Sequence, residues 1–272
     1  MMTRPMAKRP TIIVTEEMSD APMAWLAERA EVVRAGVDDP AFDDAADRAV
    51  GLVIRTYTKV DDALLDRLPR LRVVGRAGVG LDNVDQDACE RRGVAVRNTP
   101  NANTHAVVEF VVACIFDALR PRLFLDRAID KGEWRRLRGE LIAEREVRES
   151  TIGVYGVGKI GREMCRVASG LGMTVLGHDL KEIDLPGEWN VEMVSREEVL
   201  ERSHIVSLHV DDAETNRAII NADAVGRMRS DVLFINTARG HIVDAHALAD
   251  FMIGHPAAQA IPRSLAMIRI DG

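Results

Sequence analysis

The chain has 272 residues, 47% of them hydrophobic, and a formal charge of −7. That length supports one large domain or two ordinary ones, and two domains with separate cores are expected. The charge is spread along the chain without a basic block, which excludes the electrostatic footprint of a nucleic-acid or anionic-membrane binder. A small acidic substrate would depend on local Arg or Lys.

Cys89, Cys114 and Cys165 lie far apart without metal-ligand spacing, which suits a reduced compartment, so a cytoplasmic setting is expected. Residues 1–10 are basic and Pro-interrupted but lack an apolar core, so they read as a loose end rather than a signal peptide.

From the N-terminus, apolar runs at Thr11–Val14, 50–54 and 71–74 alternate with longer amphipathic stretches. This is the pattern of βα units around a parallel sheet. Pro40, Pro69 and Gly93 mark the joints of this first unit, 11–99. A long buried helix is predicted over 106–119, preceded by capping side chains at 101–104 and stopped by Pro121. It carries Glu109 and Asp117 and is too short to cross a bilayer. The charged stretch 135–149 reads as a solvent-exposed arm. A second unit then shows strands at Thr151–Tyr155, 173–177, Ile205–Leu208 and 232–236, alternating with helices as a doubly wound sheet requires.

The strongest chemical signal is Gly156-Val157-Gly158-Lys159-Ile160-Gly161, placed between the strand Thr151–Tyr155 and an amphipathic helix running toward Leu171. Gly156 permits the tight turn, Gly158 lets backbone approach a pyrophosphate, and Gly161 lets helix and strand pack closely. The diphosphate would rest on amides at the positive end of the helix. Asp179 closes the next strand at the spacing where a carboxylate accepts hydrogen bonds from the adenosine ribose and repels a 2′-phosphate, which favours NAD over NADP. A strand-end Asp that merely caps a turn is the plainer alternative.

Several further segments complete a pattern. They are Gly75-Arg76-Ala77-Gly78-Val79-Gly80-Leu81-Asp82-Asn83-Val84-Asp85, Ile235-Asn236-Thr237-Ala238-Arg239-Gly240, Asn98-Thr99-Pro100-Asn101 with Glu109, Arg55 through Val60, and Asn216 through Ile220. Together with the glycine fingerprint, these resemble the D-2-hydroxyacid dehydrogenases, with the phosphoglycerate dehydrogenase branch the nearest, over roughly residues 11–250.

The resemblance implies an α/β protein of two doubly wound parallel-sheet domains: a flavodoxin-like substrate domain over 11–99 and a Rossmann NAD-binding domain over 100–272. It also implies that Gly78, Val79 and Gly80 bind the substrate carboxylate through backbone amides. Gly156, Gly158, Lys159, Ile160 and Gly161 hold the pyrophosphate and Asp179 the ribose. His209 and Val210 pass the adenosine, and Thr237, Ala238 and Arg239 line the nicotinamide. Arg239 corresponds to the catalytic, substrate-binding arginine, whose planar guanidinium can grip a 2-oxo acid in a bidentate fork. Arg55, with Lys59, suits either recognition of a second acidic group such as phosphate or a solvated position after a strand. His209 reads as a packed residue beside the cofactor, and His105, His241 and His246 as surface or capping residues.

Family members are expected to continue beyond Arg239 with a strand carrying Asp, a catalytic Glu and a Pro-His base. Here the resemblance fades after Asp250, and the Asp and Glu positions would fall near 263 and 268. The common His-x-Pro-Leu-Thr pattern is replaced by His209-Val210-Asp211-Asp212-Ala213. The second unit is therefore expected to lack its last strands. The function expected is NAD-dependent hydride transfer on a small 2-hydroxy acid, with 3-phosphoglycerate a candidate substrate and a homodimer through the helix after Pro100. A catalytically silent NAD(H)-binding interaction protein is the alternative.

Overall fold

The computed structural model describes residues 9–122, 124–142, 145–211 and 213–261. It divides into two units between Asn103 and Thr104.

In the first unit, β1 (Thr11–Val14), α1 (Asp20–Ala27), β2 (Glu31–Arg34), α2 (Pro40–Ala46), β3 (Ala49–Ile54), α3 (Asp62–Asp66), β4 (Val73–Arg76), α4 (Gln86–Arg91) and β5 (Ala95–Asn98) alternate. Carboxylate caps start the helices: Asp39, Asp61 and Asp85 each accept from an amide in the first turn of α2, α3 and α4. Such caps satisfy donors that a helix cannot satisfy itself. The five strands are all parallel in the order β2-β1-β3-β4-β5, the flavodoxin-like arrangement, whose direction reverses between β1 and β3. Ile13, Phe42, Leu52, Ile54 and Val74 are almost fully buried in its core. The strand read at 71–74 lies two residues further on as β4, because Leu71 belongs to the turn whose amide donates to Leu68.

The second unit opens with α5 (Thr104–Leu119) and α6 (Lys131–Glu140), then continues β6 (Thr151–Tyr155), α7 (Lys159–Gly170), β7 (Thr174–His178), β8 (Val191–Met193), α8 (Arg196–Arg202), β9 (Ile205–Leu208), α9 (Ala222–Gly226), β10 (Leu233–Asn236), α10 (Ala245–Gly254) and β11 (Gln259–Ile261). Its parallel strands run β11-β10-β9-β6-β7-β8, the six-strand doubly wound order of dinucleotide-binding domains. Alternation along the strands feeds two cores. Ile152, Ile205 and Ile235 face one side with Met164 of α7, while Leu176, Val206 and Phe234 face the other with Leu200 of α8.

Two expectations are corrected. The sheet does not end with the strand at 232–236, because Leu233, Phe234 and Ile235 pair in register with Gln259, Ala260 and Ile261. The short β8 also joins the opposite edge. The helix over 106–119 is not buried all round, since only the face of Val108, Val111, Cys114 and Ile115 is covered and Phe116 is exposed. The described residues of the charged stretch 135–149 are mostly exposed, as expected, and α6 takes up its first part, capped by Asp130. The positions expected for the family's Asp and Glu, near 263 and 268, lie outside the described residues, as do Asp212 and residues 1–8 of the expected loose end. No helix among the described residues is long and apolar enough to cross a membrane.

Candidate functional site

In the second unit, the chain leaves β6 through a turn in which Gly156 adopts φ 94°, a conformation that favours glycine. A Cβ on Gly156 would lie 2.8 Å from the Val210 amide nitrogen and 2.9 Å from the His209 carbonyl carbon, so the chain leaving β9 crosses directly over the turn. A Cβ on Gly161 would sit 2.0 Å from the Gly156 carbonyl oxygen, so α7 begins in contact with the turn it follows. Gly158 is different: nothing lies within 4 Å of where its Cβ would be, and as the N-cap of α7 it brings no side chain to close the helix start. Two glycines are consumed by packing and the middle one faces open space beside the amide-lined end of a twelve-residue helix. That cradle fits a diphosphate. Lys159 is exposed and Ile160 half-buried at its edge.

Asp179 stands one residue beyond β7. Its Oδ2 accepts from the Val157 amide at 2.8 Å, and its Oδ1 accepts from the Lys181 amide at 3.0 Å. It therefore caps its own turn and also ties the glycine turn to the next strand. A carboxylate has about four lone-pair sites, so acceptor capacity remains for ribose hydroxyls at the same place.

The ends of β9 and β10 carry the other residues. The His209 Nε2 lies 2.9 Å from the hydroxyl of fully buried Ser207, and its Nδ1 lies 3.3 Å from the Thr237 hydroxyl. The Thr237 hydroxyl donates to the Leu208 carbonyl at 3.2 Å. Burial disfavours the charged imidazolium and pushes the His209 pKa down to about 4. Buried Asn236 holds the loop after β10 at both ends: its Oδ1 accepts from the Ala238 amide at 3.0 Å and its Nδ2 donates to the Arg239 carbonyl at 2.9 Å. Arg239 is half-buried, and its guanidinium donates to the Ala238 carbonyl at 3.2 Å. Asp211, at the place of the common proline, organises its own turn. Its Oδ1 accepts from the Ala213 amide at 3.2 Å and from the Asn216 side chain at 2.7 Å.

In the first unit, Gly78, Val79 and Gly80 form the loop after β4. Asn98 donates to the Val79 carbonyl at 2.7 Å, and the Thr99 amide donates to the Gly78 carbonyl at 3.0 Å, so β5 fixes the loop. The Arg76 guanidinium fills the space a Gly78 side chain would need, 1.4 Å from an ideal Cβ. Arg55 is exposed and its guanidinium donates to the Glu17 carbonyl at 2.8 Å. The backbone around Arg55 is held by Glu16. Its carboxylate accepts from the amides of Arg55, Thr56, Tyr57 and Thr58 at 2.9, 2.8, 3.1 and 3.0 Å. Burial alone would raise the Glu16 pKa, but these four bonds override it and bring it down to about 2.

Sequence reading missed Glu16, Ser207, Asn216 and Asn236 as organisers of these loops. Asn236 alone had a local signal, an Asn closing an apolar strand before Thr-Ala-Arg-Gly, where its side chain can bond backbone two residues on. The others act on residues too distant in sequence or too ordinary in type to stand out. His105 is exposed, with Nδ1 3.3 Å from a Glu163 carboxylate oxygen.

Residues 112–261 match the model of the D-isomer specific 2-hydroxyacid dehydrogenase family, NAD binding domain. The chain is 38% identical over 243 residues to an (S)-sulfolactate dehydrogenase of Chromohalobacter salexigens, covering 88% of this chain and 78% of that one. It is 31% identical over 249 residues to the D-3-phosphoglycerate dehydrogenase of Mycobacterium tuberculosis, covering 90% of this chain but 46% of the relative. Among solved structures, the D-lactate dehydrogenase of Aquifex aeolicus complexed with NAD and lactic acid superposes with a TM-score of 0.74 at 26% identity, over 90% of this chain and 74% of that one.

Proposed function

Because the chain belongs to the D-isomer specific 2-hydroxyacid dehydrogenases, we propose that its two units divide NAD-dependent oxidation of a small 2-hydroxy acid between them, residues 11–99 serving the substrate and residues 100–272 the cofactor. NAD supplies the hydride acceptor at its nicotinamide ring. The amides at Gly158, Lys159 and Ile160 hold the diphosphate on the open cradle, and Asp179 accepts from the ribose hydroxyls. His209 and Val210 border the adenosine. Thr237 and Ala238 line the nicotinamide pocket, and Arg239 orients the substrate carboxylate and C2 oxygen, being permanently charged and unable to take a proton. Gly78, Val79 and Gly80 form the proposed substrate-binding loop of the first unit, whose backbone amides suit a carboxylate. Nothing in the fold or the similarities favours a catalytically silent NAD-binding protein.

The observation that carries this reading is the cradle itself: an open Gly158 flanked by two glycines pressed against backbone, with Asp179 tied to Val157 at 2.8 Å. Fluorescence titration with NADH and NADPH tests it. NADH should bind more tightly, and equal or tighter NADPH binding would overturn the assignment of Asp179.

The substrate class is a 2-hydroxy acid with a second acidic group. The names of the sulfolactate and phosphoglycerate dehydrogenases support that class, and Arg55 is the residue proposed to meet the second anion. NADH formation measured over a panel of 2-hydroxy acids, with and without a sulfonate or phosphate at C3, decides it. A homodimer through α5 and the following arm is supported by the exposed Phe116, Phe124 and Trp134. Light scattering at micromolar concentration tests it, and a strictly monomeric chain would refute it. A cytoplasmic setting is proposed from three buried, unbridged cysteines.

A further inference from the structure

We infer that His209 is a positioning residue, which as a neutral imidazole protonated at Nδ1 links the ends of β9 and β10 and fixes the cofactor-lining segment Thr237–Arg239 through the Thr237 hydroxyl.

The direction of every bond in the chain follows from one fixed point. The Leu208 carbonyl can only accept, so the single hydroxyl hydrogen of Thr237 is spent on it at 3.2 Å. Toward His209, the Thr237 oxygen is therefore an acceptor, and the Nδ1 atom 3.3 Å away carries the proton. A neutral ring then has a bare Nε2, and the Ser207 hydroxyl 2.9 Å away donates to it. Ser207 is completely buried, so its hydroxyl has no water to turn to. The order is Ser207 to His209 to Thr237 to the Leu208 carbonyl, each hydroxyl and ring nitrogen satisfied once.

This chain begins on β9 and ends on β9, passing through the first residue after β10. Ile235 and Asn236 pair with Ser207 and Leu208 in the ladder, and the backbone bonds stop there. Beyond them, the side-chain relay continues the cross-strand connection by one residue, to Thr237. Asn236 grips the next two residues, Ala238 and Arg239, from the other side. The segment is thus held from both strands before any ligand arrives, which spares binding the cost of ordering it.

The inference rests on the reading that Thr237–Arg239 lines the cofactor, and the experiments separate the two. Long-range nitrogen-15 correlation of the histidine rings in the unaltered chain reads the tautomer directly. A neutral Nδ1–H form of His209 at pH 7 is expected, and an Nε2–H form or an imidazolium overturns the relay without any variant being made. NADH titration then covers His209→Leu, His209→Asn and Thr237→Val. His209→Leu keeps bulk but loses both bonds, and should weaken NADH about five- to tenfold, the loss typical of one or two net hydrogen bonds. His209→Asn places an amide donor near the Nδ1 position and should recover most of it. The His209→Leu/Thr237→Val double variant should bind no more weakly than the worse single, because both break one chain. Additive losses, or a His209→Leu variant with unchanged affinity, overturn the inference. Failure of the unaltered chain to bind NADH overturns instead the cofactor reading beneath it.

Discussion

Replacing Glu16 with Gln tests whether the loop bearing Arg55 is held by charge. The carboxylate of Glu16 accepts four backbone hydrogen bonds, whereas an amide offers one acceptor oxygen and turns an NH2 group toward amides that also donate. The pKa lies at about 2 against an ordinary 4.5, and at about 1.36 kcal/mol per pKa unit this displacement sets a ceiling of about 3.4 kcal/mol. Glu16 is partly open to solvent, and screening reduces the expected contribution to about 1.5–2 kcal/mol. The folded pKa is depressed, so this stability is fully present above pH 4.5 and is lost as pH falls toward 2. Hydrogen exchange of the Arg55 to Thr58 amides reads the loop without requiring the whole chain to unfold. At pH 7 the Glu16→Gln variant should exchange these amides roughly tenfold faster or more. The difference from the unaltered chain, measured by urea unfolding, should narrow as pH is lowered below 4.5. A difference independent of pH would show that shape, not charge, holds the loop.

Three further outcomes are expected. Gly161→Ala drives a methyl group to 2.0 Å from the Gly156 carbonyl, and the forced separation of helix and turn should cost about 1–3 kcal/mol and most NADH affinity; a melting curve and a titration check both, while Gly158→Ala, with open space at its Cβ, should leave stability nearly unchanged. Asp179→Ala removes an acceptor for the Val157 amide and should reduce the preference for NADH over NADPH about tenfold or more, as loss of charge-assisted bonds does; full retention of the preference in paired titrations would show that another residue sets it. Phe116→Asp places a charge on the exposed face of α5 and should shift the chain toward monomer in light scattering without lowering its melting temperature, whereas an unchanged association state would remove α5 from the proposed interface.

Much of the architecture is legible in the sequence because it is written in local periods. β1, β3, β6 and β9 are apolar runs of parallel-sheet character, and Asp39, Asp61, Asp85 and Asn221 stand where helix starts need an acceptor. The glycine turn is equally local, since strand, turn and helix adjoin: Gly156 and Gly161 answer steric demands made within a few residues or by the adjacent strand, and Gly158 leaves open space at the helix start. Asp179 is placed by spacing, and its tie to Val157 is the short-range consequence of two neighbouring strand ends.

What only the tertiary structure decided depends on partners far along the chain. β8 and β11 have three residues each, too few to show a period, and they become strands because β7 and β10 offer them a ladder. The outward face of α5 carries Phe116 beside Glu109 and Asp117, and its exposure follows from the packing of the Val108, Val111, Cys114 and Ile115 face of α5 against the sheet and α7. Glu16 finds its four amides about forty positions away, and His209 meets Thr237 across 28 positions. A carboxylate or an imidazole in a sequence carries only its capacity to bond. Which amide, hydroxyl or ring nitrogen satisfies it, and therefore its charge and tautomer, is set when parallel strands bring distant residues to the same edge of the sheet and exclude water from between them.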